Sequence, residues 1–412
     1  MLFQDDRFGM FIHFGIYSHA GWHEQHQLRL GVPKEEYVKL KDVFNPADFD
    51  ADALVSFAKE AGAEYICFTA KHHDGFCMWD TKCTDYNIMN TPFGRDILKE
   101  IAESCEKHGV LLELYYSIPD WNHKNSLNLG REYHQLKQPN PGDEPNEELY
   151  IQYIKNQMRE LCTNYGRIHA IFWDIPPERQ DPSVNEYVRS LQPGILINDR
   201  GYDKGDYSTP EREDRIKNAS FERLCEACQS VGAQSWGYRE EEDYFTPQYI
   251  IASMSKILMK GGNYLLNVGP NGRGMLPNES KQIFAAAGNW YKRIRESIIG
   301  TKYLHAGNFD YTVRENTVYL HLPAACGCRG FILKPFTVAP TKAVLLNNGK
   351  TVDAKVCFSP WDYDGDQNLP HLHIGNLPSD EYLHENMVIK MEFDDIRTFL
   401  APMNEEIKQE IL

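Results

Sequence analysis

Several features that mark particular classes of protein are missing from this 412-residue sequence. No segment approaches the roughly 20 consecutive apolar residues of a membrane-spanning helix. The first fifteen residues contain two aspartates and a histidine, where a secretory signal needs a basic end and a long apolar run. We therefore expect a soluble, cytoplasmic protein.

A complete zinc-binding pattern, with two cysteine pairs or a cysteine pair and a histidine pair, is also missing. Cys225 and Cys228 have C-x-x-C spacing, but neither a second cysteine pair nor a histidine pair accompanies them, and Cys326 and Cys328 stand apart. Reduced thiols without a bound metal are the simplest interpretation of this pattern. We expect no cofactor and no metal ion.

Positive charge is scarce. The chain has 43 lysines and arginines against 59 aspartates and glutamates, which gives a formal net charge of −16. Because this charge repels nucleic-acid phosphates and anionic lipids, neither a nucleic acid nor a membrane is expected as a partner. A neutral small molecule or glycan is the better candidate, and the sequence does not indicate an oligomeric state.

A series of short apolar runs, each ending in polar, aromatic or carboxylate residues, recurs through about the first 300 residues. The runs are MFIHFG, YICFTAKHHDG, LLELYYSIPDW, IHAIFWDIPP, GILINDRG, AQSWGY and NYLLNVGP. Segments with helical periodicity separate several of them, namely DADALVSFAKEAG, DILKEIAESCEKHG and EELYIQYIKNQMRELCTNYG. Near-continuous apolar strands that alternate with helices indicate a parallel sheet covered on both faces.

The number of these runs favours a (β/α)8-like, TIM-type barrel over an open nucleotide-binding sheet, and no G-x-G-x-x-G follows the first run. After Thr301 apolar and polar residues alternate with period two, in YTVRENTVYLHLPAA, GFILKPFTV, KAVLLNNGKTVDAKVCF and NMVIKMEFDD. We predict an α/β fold, with a catalytic barrel over residues 1–301 and a C-terminal antiparallel β-sandwich over residues 302–412.

Polar residues at the ends of the runs would converge on one pocket, because active sites in such barrels lie at the carboxyl ends of the strands. These residues are His13, Trp22, Glu24, His72, His73, Trp79, Tyr116, Asp120, Trp121, Asp174, Asp199, Arg200, Glu211, Glu226 and Trp236. Aromatic faces that stack on C–H bonds, together with groups that bind hydroxyls, suit a sugar. Carboxylates would then carry out the acid–base chemistry.

Several motifs resemble those of the α-L-fucosidases of glycoside hydrolase family 29. The motifs are FGMFIHFGIYSHAGW, FTAKHHDGFCMWDTKCTDYN, PFGRDIL, LYYSIPDW, INDRG, GDYSTPE, SWGYREEEDY and KGGNYLLNVGPNGRG followed by LP, and they occur in the family's order from about residue 7 to residue 301. The resemblance implies a retaining exo-glycosidase that hydrolyses terminal α-L-fucose through a covalent intermediate on an aspartate.

The nucleophile implied by the resemblance is Asp174, in IFWDI. The residues alone agree, because Asp174 follows the apolar run AIFW and would lie at the barrel mouth. Ile175 and two prolines stand where the family usually has glycine and its neighbours, so the loop after the nucleophile is expected to differ in shape.

The second carboxylate, which acts as the acid and base, falls on Glu211 by resemblance to a DYxTPE segment. From the sequence alone, Glu226 and Glu222 are alternatives, because they precede the next predicted strand. All three candidates remain open at this point.

The resemblance also implies a set of substrate-binding residues. They are His13, Glu24, His72, His73 and Arg200, with Trp79 and Trp236 as aromatic walls, and we add Tyr116 from the strand ends. If His72 and His73 still lie on a strand, their side chains point to opposite sides and only one contacts the sugar. Gln25 and His26 follow Glu24 where the family usually has tryptophan, so one stacking contact is expected to be missing or to come from another loop.

Two other functions are compatible with parts of this pattern. A metal-dependent hydrolase would use His13, His72, His73 and Asp174 as ligands, but neither H-x-H on the first run nor H-E-x-x-H occurs. A catalytically inactive fucose-binding relative would not need both Asp174 and Glu211.

Overall fold

The computed structural model describes residues 4–126, 140–212, 219–358 and 370–412. Within these ranges the N-terminal part carries a seven-stranded parallel sheet with the strand order β5-β4-β3-β2-β1-β7-β6. Its strands are β1 (Phe8–Ile12), β2 (Tyr65–Lys71), β3 (Leu111–Ser117), β4 (Ala170–Asp174), β5 (Leu196–Ile197), β6 (Glu226–Ser230) and β7 (Asn263–Val268).

Segment 206–212 connects the two outer strands of this sheet. The amide of Asp206 donates to the Ile197 carbonyl at 2.6 Å, and the amide of Glu226 donates to the Ser208 carbonyl at 2.8 Å. Parallel bridges join the segment to residues next to β5 and to β6. The segment therefore occupies the position of an eighth strand, and the predicted barrel-type α/β domain is confirmed.

Helices cover the outside of the sheet. The longer ones among the described residues are α4 (Ala51–Glu60), α5 (Ile97–His108), α6 (Glu147–Asn164), α7 (Pro182–Leu191), α8 (Pro247–Met259) and α9 (Asn278–Ile294). Shorter ones are α1 (Tyr17–Ala20), α2 (His26–Arg29) and α3 (Lys34–Tyr37), with 3-10 turns at Val38–Asp42, Ile88–Asn90 and Arg295–Ser297. Asp50, Asp96 and Asn146 accept backbone hydrogen bonds as N-caps of α4, α5 and α6, which fixes where these helices begin.

One predicted strand was misplaced. We predicted the strand at AQSWGY, but β6 lies just before it, at Glu226–Ser230, and AQSWGY is a loop. The strand Glu-Ala-Cys-Gln-Ser is mostly polar because it contributes a carboxylate to the barrel interior, so it lacks the apolar signal of a buried strand. The displaced loop instead covers the barrel mouth.

Side chains alternate between the barrel interior and the surrounding helices, as the pleat of a strand requires. The interior is filled by a cluster containing Phe11, Tyr65, Tyr115, Phe172 and Leu265. The interior has little spare room next to β1, because a Cβ built on Gly9 would lie 2.4 Å from the Tyr65 ring. This packed layer forms the floor of the space at the carboxyl ends of the strands.

The described residues of the C-terminal part form two antiparallel sheets, with strand orders β12-β15-β10-β9-β8 and β11-β14-β13. Their strands are β8 (Lys302–Ala306), β9 (Phe309–Arg314), β10 (Thr317–Leu322), β11 (Phe331–Leu333), β12 (Lys342–Leu345), β13 (Asp353–Cys357), β14 (His371–Gly375) and β15 (Met387–Glu392). A 3-10 turn at Ser379–Glu381 and helices α10 (Ile396–Leu400) and α11 (Glu405–Ile411) complete this part.

A shared core holds the two antiparallel sheets together, and it includes Leu320 and Ile389 of one sheet and Leu333 and Leu372 of the other. The predicted antiparallel C-terminal unit is confirmed. The division at residue 301 falls in the connection between α9 and β8 and stays a prediction. In the ranges described, no helix has the length and apolar character needed to cross a membrane.

Candidate active site

A pocket opens at the carboxyl ends of the barrel strands, with about 450 Å³ of space that includes open solvent. Histidine, carboxylate, arginine and aromatic side chains line it together. The lining residues are Phe11, His13, Glu24, Gln25, His72, His73, Tyr115, Phe172, Asp174, Ile175, Arg200, Glu211, Cys228 and Trp236.

Asp174 is the last residue of β4, and its carboxylate is held on both oxygens. Oδ2 accepts a hydrogen bond from the Tyr115 hydroxyl at 2.7 Å, and Oδ1 accepts one from Nη1 of Arg200 at 2.9 Å. Nε2 of His73 lies 3.8 Å from Oδ2. Burial alone would raise the pKa of Asp174, but the charge of Arg200, the charge of His73 and these hydrogen bonds outweigh burial and lower the pKa to about 2. Asp174 is therefore an ionised carboxylate in fixed orientation.

Arg200 connects Asp174 to Glu211, because its Nη1 also donates to Oε1 of Glu211. Nε and Nη2 bind the side chain and the carbonyl of Thr209, at 2.9 and 2.5 Å, and the guanidinium lies over the Phe172 ring. Since one nitrogen atom contacts both carboxylates, their nearest oxygens are at most two hydrogen-bond lengths, about 6 Å, apart. Glu211 itself is half-exposed at the pocket rim, with 47% of its side chain accessible.

His13 follows β1 and presents a neutral ring to the pocket. Its Nδ1 is 2.7 Å from Oδ1 of Asn267, whose amide nitrogen donates to Ser230 and to the Trp236 carbonyl. The amide oxygen therefore accepts, so Nδ1 of His13 carries the hydrogen. Burial lowers the pKa of His13, which keeps the ring neutral and leaves Nε2 as a hydrogen-bond acceptor.

Both His72 and His73 line the pocket. Our expectation that only one contacts the sugar required the strand to continue, but β2 ends at Lys71 and a turn follows. The His72 ring stacks on Tyr115, with centroids 5.5 Å apart and planes 10° apart. The His73 ring is oriented through Nδ1, which lies 2.6 Å from the Ser117 hydroxyl. Because that hydroxyl donates to the Pro119 carbonyl, it accepts from His73.

Glu24 fixes the loop that covers the mouth. Its Oε2 accepts hydrogen bonds from the Ser235 hydroxyl at 2.7 Å and from the amides of Trp236 and Gly237 at 3.0 and 3.1 Å. Burial would raise the pKa of Glu24, but His23, His13 and these donors lower it. The ionised carboxylate thus holds the indole of Trp236 against His13, with ring centroids 5.5 Å apart.

Two predicted aromatic residues do not line the pocket. Tyr116 lies out of phase with Tyr115 on β3, so it faces the helices and donates to Gln157 of α6 at 2.5 Å. Trp79 is fully buried outside the barrel, where its indole nitrogen donates to Glu160 at 3.1 Å. The pocket takes its aromatic walls from Tyr115, Phe11, Phe172 and Trp236 instead. Strand alternation would have identified Tyr115, but no sequence signal separates Trp79 from a wall residue.

Glu226 also lies outside the pocket. As the first residue of β6 it points into the barrel interior, where the Tyr65 hydroxyl donates to it at 2.7 Å and Glu113 forms a carboxyl–carboxylate contact with it. The Tyr207 hydroxyl donates to Glu113 at 2.5 Å. Burial raises the pKa of Glu113 to about 7, and burial together with the charge of Glu113 raises the pKa of Glu226 well above its ordinary value. The pair therefore retains at least one proton through the acidic range.

This buried pair predicts a pH-dependent stability. The pKa values of Glu113 and Glu226 are higher in the folded than in the unfolded chain. The contribution of the protonated pair to the free energy of unfolding is therefore complete below about pH 4.5 and is lost as the pH rises towards 7 and above. We expect the free energy of unfolding of Glu226→Gln to fall less than that of the wild type between pH 5 and pH 8. Thermal unfolding at both pH values measures this, with exposed Glu222→Gln as the matched control. An equal pH dependence in Glu226→Gln and wild type would contradict the assignment.

No group of three or more histidine, cysteine, aspartate and glutamate side chains within the described ranges is arranged to hold a metal ion. A barrel mouth that combines two carboxylates with histidine, arginine and aromatic side chains is typical of a glycoside hydrolase. The chain belongs to the α-L-fucosidase family, since the family model "Alpha-L-fucosidase" matches residues 1–296.

Individual relatives agree with this membership. The α-L-fucosidase of Dictyostelium discoideum is 27% identical over 353 residues, which cover 76% of this chain and 74% of that protein. The structure of α-L-fucosidase isoenzyme 1 from Paenibacillus thiaminolyticus matches with a TM-score of 0.84 and 31% identity, over 95% of this chain and 97% of that one. A Bacteroides thetaiotaomicron GH29 α-L-fucosidase, solved as a covalent intermediate trapped with 2-fluoro-fucosyl fluoride, matches with a TM-score of 0.76 and 25% identity, over 95% and 94% of the two chains.

Proposed function

We propose that this protein is a retaining exo-glycosidase that hydrolyses terminal α-L-fucose from glycans or glycosides, with Asp174 as nucleophile and Glu211 as acid and base. The observation that carries the proposal is the contact of one Arg200 nitrogen with both carboxylates at the pocket. Retaining enzymes need carboxyl groups about 5 to 5.5 Å apart, which is compatible with a shared donor. The trapped covalent intermediate of the Bacteroides relative supports the same reaction course.

In the first step, Asp174 attacks the anomeric carbon from the face opposite the leaving group. The bond to the leaving oxygen breaks as Glu211 donates its proton to that oxygen, and a β-linked fucosyl ester forms on Asp174. The low pKa of Asp174 keeps it ionised and ready to attack. The hydrogen bonds from Tyr115 and Arg200 orient the carboxylate without altering its charge.

In the second step, Glu211 takes a proton from water while the water oxygen bonds to the anomeric carbon. Asp174 regains its electron pair and α-L-fucose leaves with its configuration retained. Glu211 must leave Arg200 to reach the leaving oxygen in the first step, and its half-exposed side chain has the space to do so. Arg200 remains anchored by Thr209 and Asp174 during this movement.

Sugar recognition in this proposal rests on hydrogen-bonding groups and aromatic faces of the pocket wall. Nε2 of His13 accepts from a sugar hydroxyl, because its Nδ1 is committed to Asn267. The stacked pair of His72 and Tyr115 offers a second polar edge, and the Trp236 face offers C–H contacts.

We expect His13→Ala, His72→Ala and His73→Ala each to weaken fucose binding by about 1 to 3 kcal/mol, because each change leaves a buried hydroxyl without its partner. The inhibition constant for free fucose measures this loss apart from turnover. His169→Ala is the control, since His169 immediately precedes β4 at the opposite end of the barrel. A normal inhibition constant in all three pocket variants would refute their role in recognition.

Activity on 4-nitrophenyl α-L-fucoside, beside a panel of linked fucosyl oligosaccharides, tests the proposed function. We expect hydrolysis of the α-L-fucoside and none of the corresponding β-fucoside. Binding of fucose without hydrolysis of any α-L-fucoside would favour an inactive fucose-binding protein. Stoichiometric zinc whose removal abolishes activity would favour a metal-dependent hydrolase.

A further inference from the structure

Arg212 directly follows Glu211, the proposed acid and base, and it has an uncommon backbone conformation. Its φ is +53°, in the left-handed region that favours glycine. Conformations of this kind persist where the surrounding structure holds them, and they cluster at functional sites. The contacts of Arg212 show which part of the pocket this conformation maintains.

Backbone hydrogen bonds on both sides of Glu211 attach this residue to β6. The amide of Cys228 donates to the Pro210 carbonyl at 3.0 Å, and the amide of Arg212 donates to the Cys228 carbonyl at 2.9 Å. Glu211 and Cys228 thus form a parallel bridge. The backbone of Glu211 is therefore fixed, while its half-exposed side chain has space to move from Arg200 to the leaving oxygen.

The side chain of Arg212 reaches residues 233–238, the loop that covers the barrel mouth, which we call the Trp236 loop. Nη1 donates to the Ala233 carbonyl at 2.9 Å, and the guanidinium carbon lies over the Trp236 ring, 4.7 Å from its centroid. A guanidinium over an indole face is a favourable cation–π contact. Since the Trp236 ring also stacks with His13, one indole contacts both a proposed sugar-binding residue and the neighbour of the acid.

We propose that Arg212 is a positioning residue that links the backbone of Glu211 to the Trp236 loop. This link places the acid against the leaving oxygen when fucose is bound at the pocket wall. The inference rests on the proposed function, because it requires Glu211 to be the acid. Since proton transfer needs the acid within hydrogen-bond reach, loosening the link weakens catalysis mainly for leaving groups that need a proton.

The test compares Arg212→Lys, Arg212→Ala and Arg212→Gly on a linked fucosyl oligosaccharide and on 4-nitrophenyl α-L-fucoside. We expect kcat/KM for the oligosaccharide, relative to that for the nitrophenyl fucoside, to fall by about 10- to 100-fold in the alanine and glycine variants. The lysine variant keeps the positive charge and should lose less. Glycine adopts a positive φ without strain, so a normal ratio in Arg212→Gly would assign the role to the backbone alone and overturn the inference.

Arg223→Ala is the matched control. The Arg223 guanidinium also binds backbone carbonyls, those of Lys204 and Gly205, but these lie outside the Trp236 loop. This variant should leave the ratio of the two substrates unchanged.

A second background separates positioning from direct contact with the leaving group. In Glu211→Ala the acid is already lost, so the addition of Arg212→Ala should leave the same ratio unchanged. A further fall in the ratio would show that Arg212 contacts the leaving group itself and would overturn the positioning role.

Hydrogen–deuterium exchange of the free enzyme tests the link without turnover. Arg212→Ala should exchange faster than the wild type both in the Trp236 loop and in segment 206–212, and Arg223→Ala should leave the Trp236 loop unchanged. Unchanged exchange of the Trp236 loop in Arg212→Ala would overturn the inference. Failure of the wild type to hydrolyse any α-L-fucoside would contradict the proposed function instead, and the exchange comparison would still decide whether Arg212 links the two segments.

Discussion

Asp174→Ala and Asp174→Asn are expected to lower turnover of every α-L-fucoside by at least about 10⁴-fold, or roughly 5 kcal/mol of transition-state stabilisation. The reason is that the covalent step loses its nucleophile, while the groups that bind the sugar remain. The fold should survive, because Arg200 keeps its bonds to Thr209 and its contact with Glu211. Circular dichroism and the inhibition constant for fucose check that the variants are folded and still bind.

Asp181→Asn is a matched control for Asp174→Asn. Asp181 lies in the same stretch of chain but caps α7 by accepting from the Ser183 amide, a role that asparagine also fulfils. Its variant should keep normal turnover. Near-native activity of the Asp174 variants would end the assignment of Asp174 as nucleophile.

External azide tests the same role chemically. In Asp174→Gly, azide fits the space left by the carboxylate, attacks the anomeric carbon from that face and displaces the leaving group. The expected product is β-fucosyl azide, with inverted configuration, and its formation should be the main turnover of this variant. Azide would not restore turnover to a variant of a residue with a purely structural role.

The acid limb of the pH–rate profile follows from the pKa of Asp174. Because this pKa lies near 2, below its ordinary value, Asp174 should remain ionised down to about pH 3. A fall in kcat between pH 5 and pH 4, measured at saturating substrate in protein that is still folded, would therefore contradict the environment described for this carboxylate.

Glu211→Ala should lower the rate of hydrolysis of natural fucosyl linkages by about 10² to 10⁴-fold. The rate of the first step with a nitrophenyl fucoside should fall much less. A sugar leaving group needs a proton, whereas a nitrophenolate departs almost without one. With the nitrophenyl substrate the fucosyl ester on Asp174 should accumulate, because the second step has lost its base. A burst of nitrophenolate followed by slow turnover would show this accumulation.

Azide should then restore turnover in Glu211→Ala with a different product. It attacks the fucosyl ester from the face that water would use, so the product is α-fucosyl azide with retained configuration. Glu226→Ala is the comparison, because Glu226 is buried in the barrel interior with Tyr65 and Glu113. Azide rescue of Glu226→Ala, with normal behaviour of Glu211→Ala, would move the acid–base role to Glu226.

The sequence is sufficient to predict the residues that end apolar strands. Asp174 and His13 lie where the runs AIFW and MFI place them, because the carboxyl ends of the strands in a parallel barrel all meet at one mouth. The same reasoning fails by one residue at Tyr116, since Tyr115 has the inward phase on β3. Strand alternation along β3 would have supplied this phase.

Other features depend on contacts that are distant in the sequence. Glu24 is held in the site by Ser235, Trp236 and Gly237, more than 200 positions away, so the sequence could not show that it anchors a loop. Segment 206–212 closes the barrel through a few isolated bridges and not through a regular strand, so its sequence does not show the pattern of a strand. The left-handed conformation of Ile175 is hidden for a similar reason, because an isoleucine in sequence predicts extended backbone.

The covalent fucosyl–Asp174 ester is the central claim, and mass spectrometry after reaction with 2-fluoro-fucosyl fluoride tests it most directly. Incubation of the Glu211→Ala variant with this reagent, followed by proteolysis, should give one labelled peptide that contains IFWDIPP, with the fluorofucosyl group on Asp174. A label on any other carboxylate, or no label on protein that hydrolyses α-L-fucosides, would contradict the account.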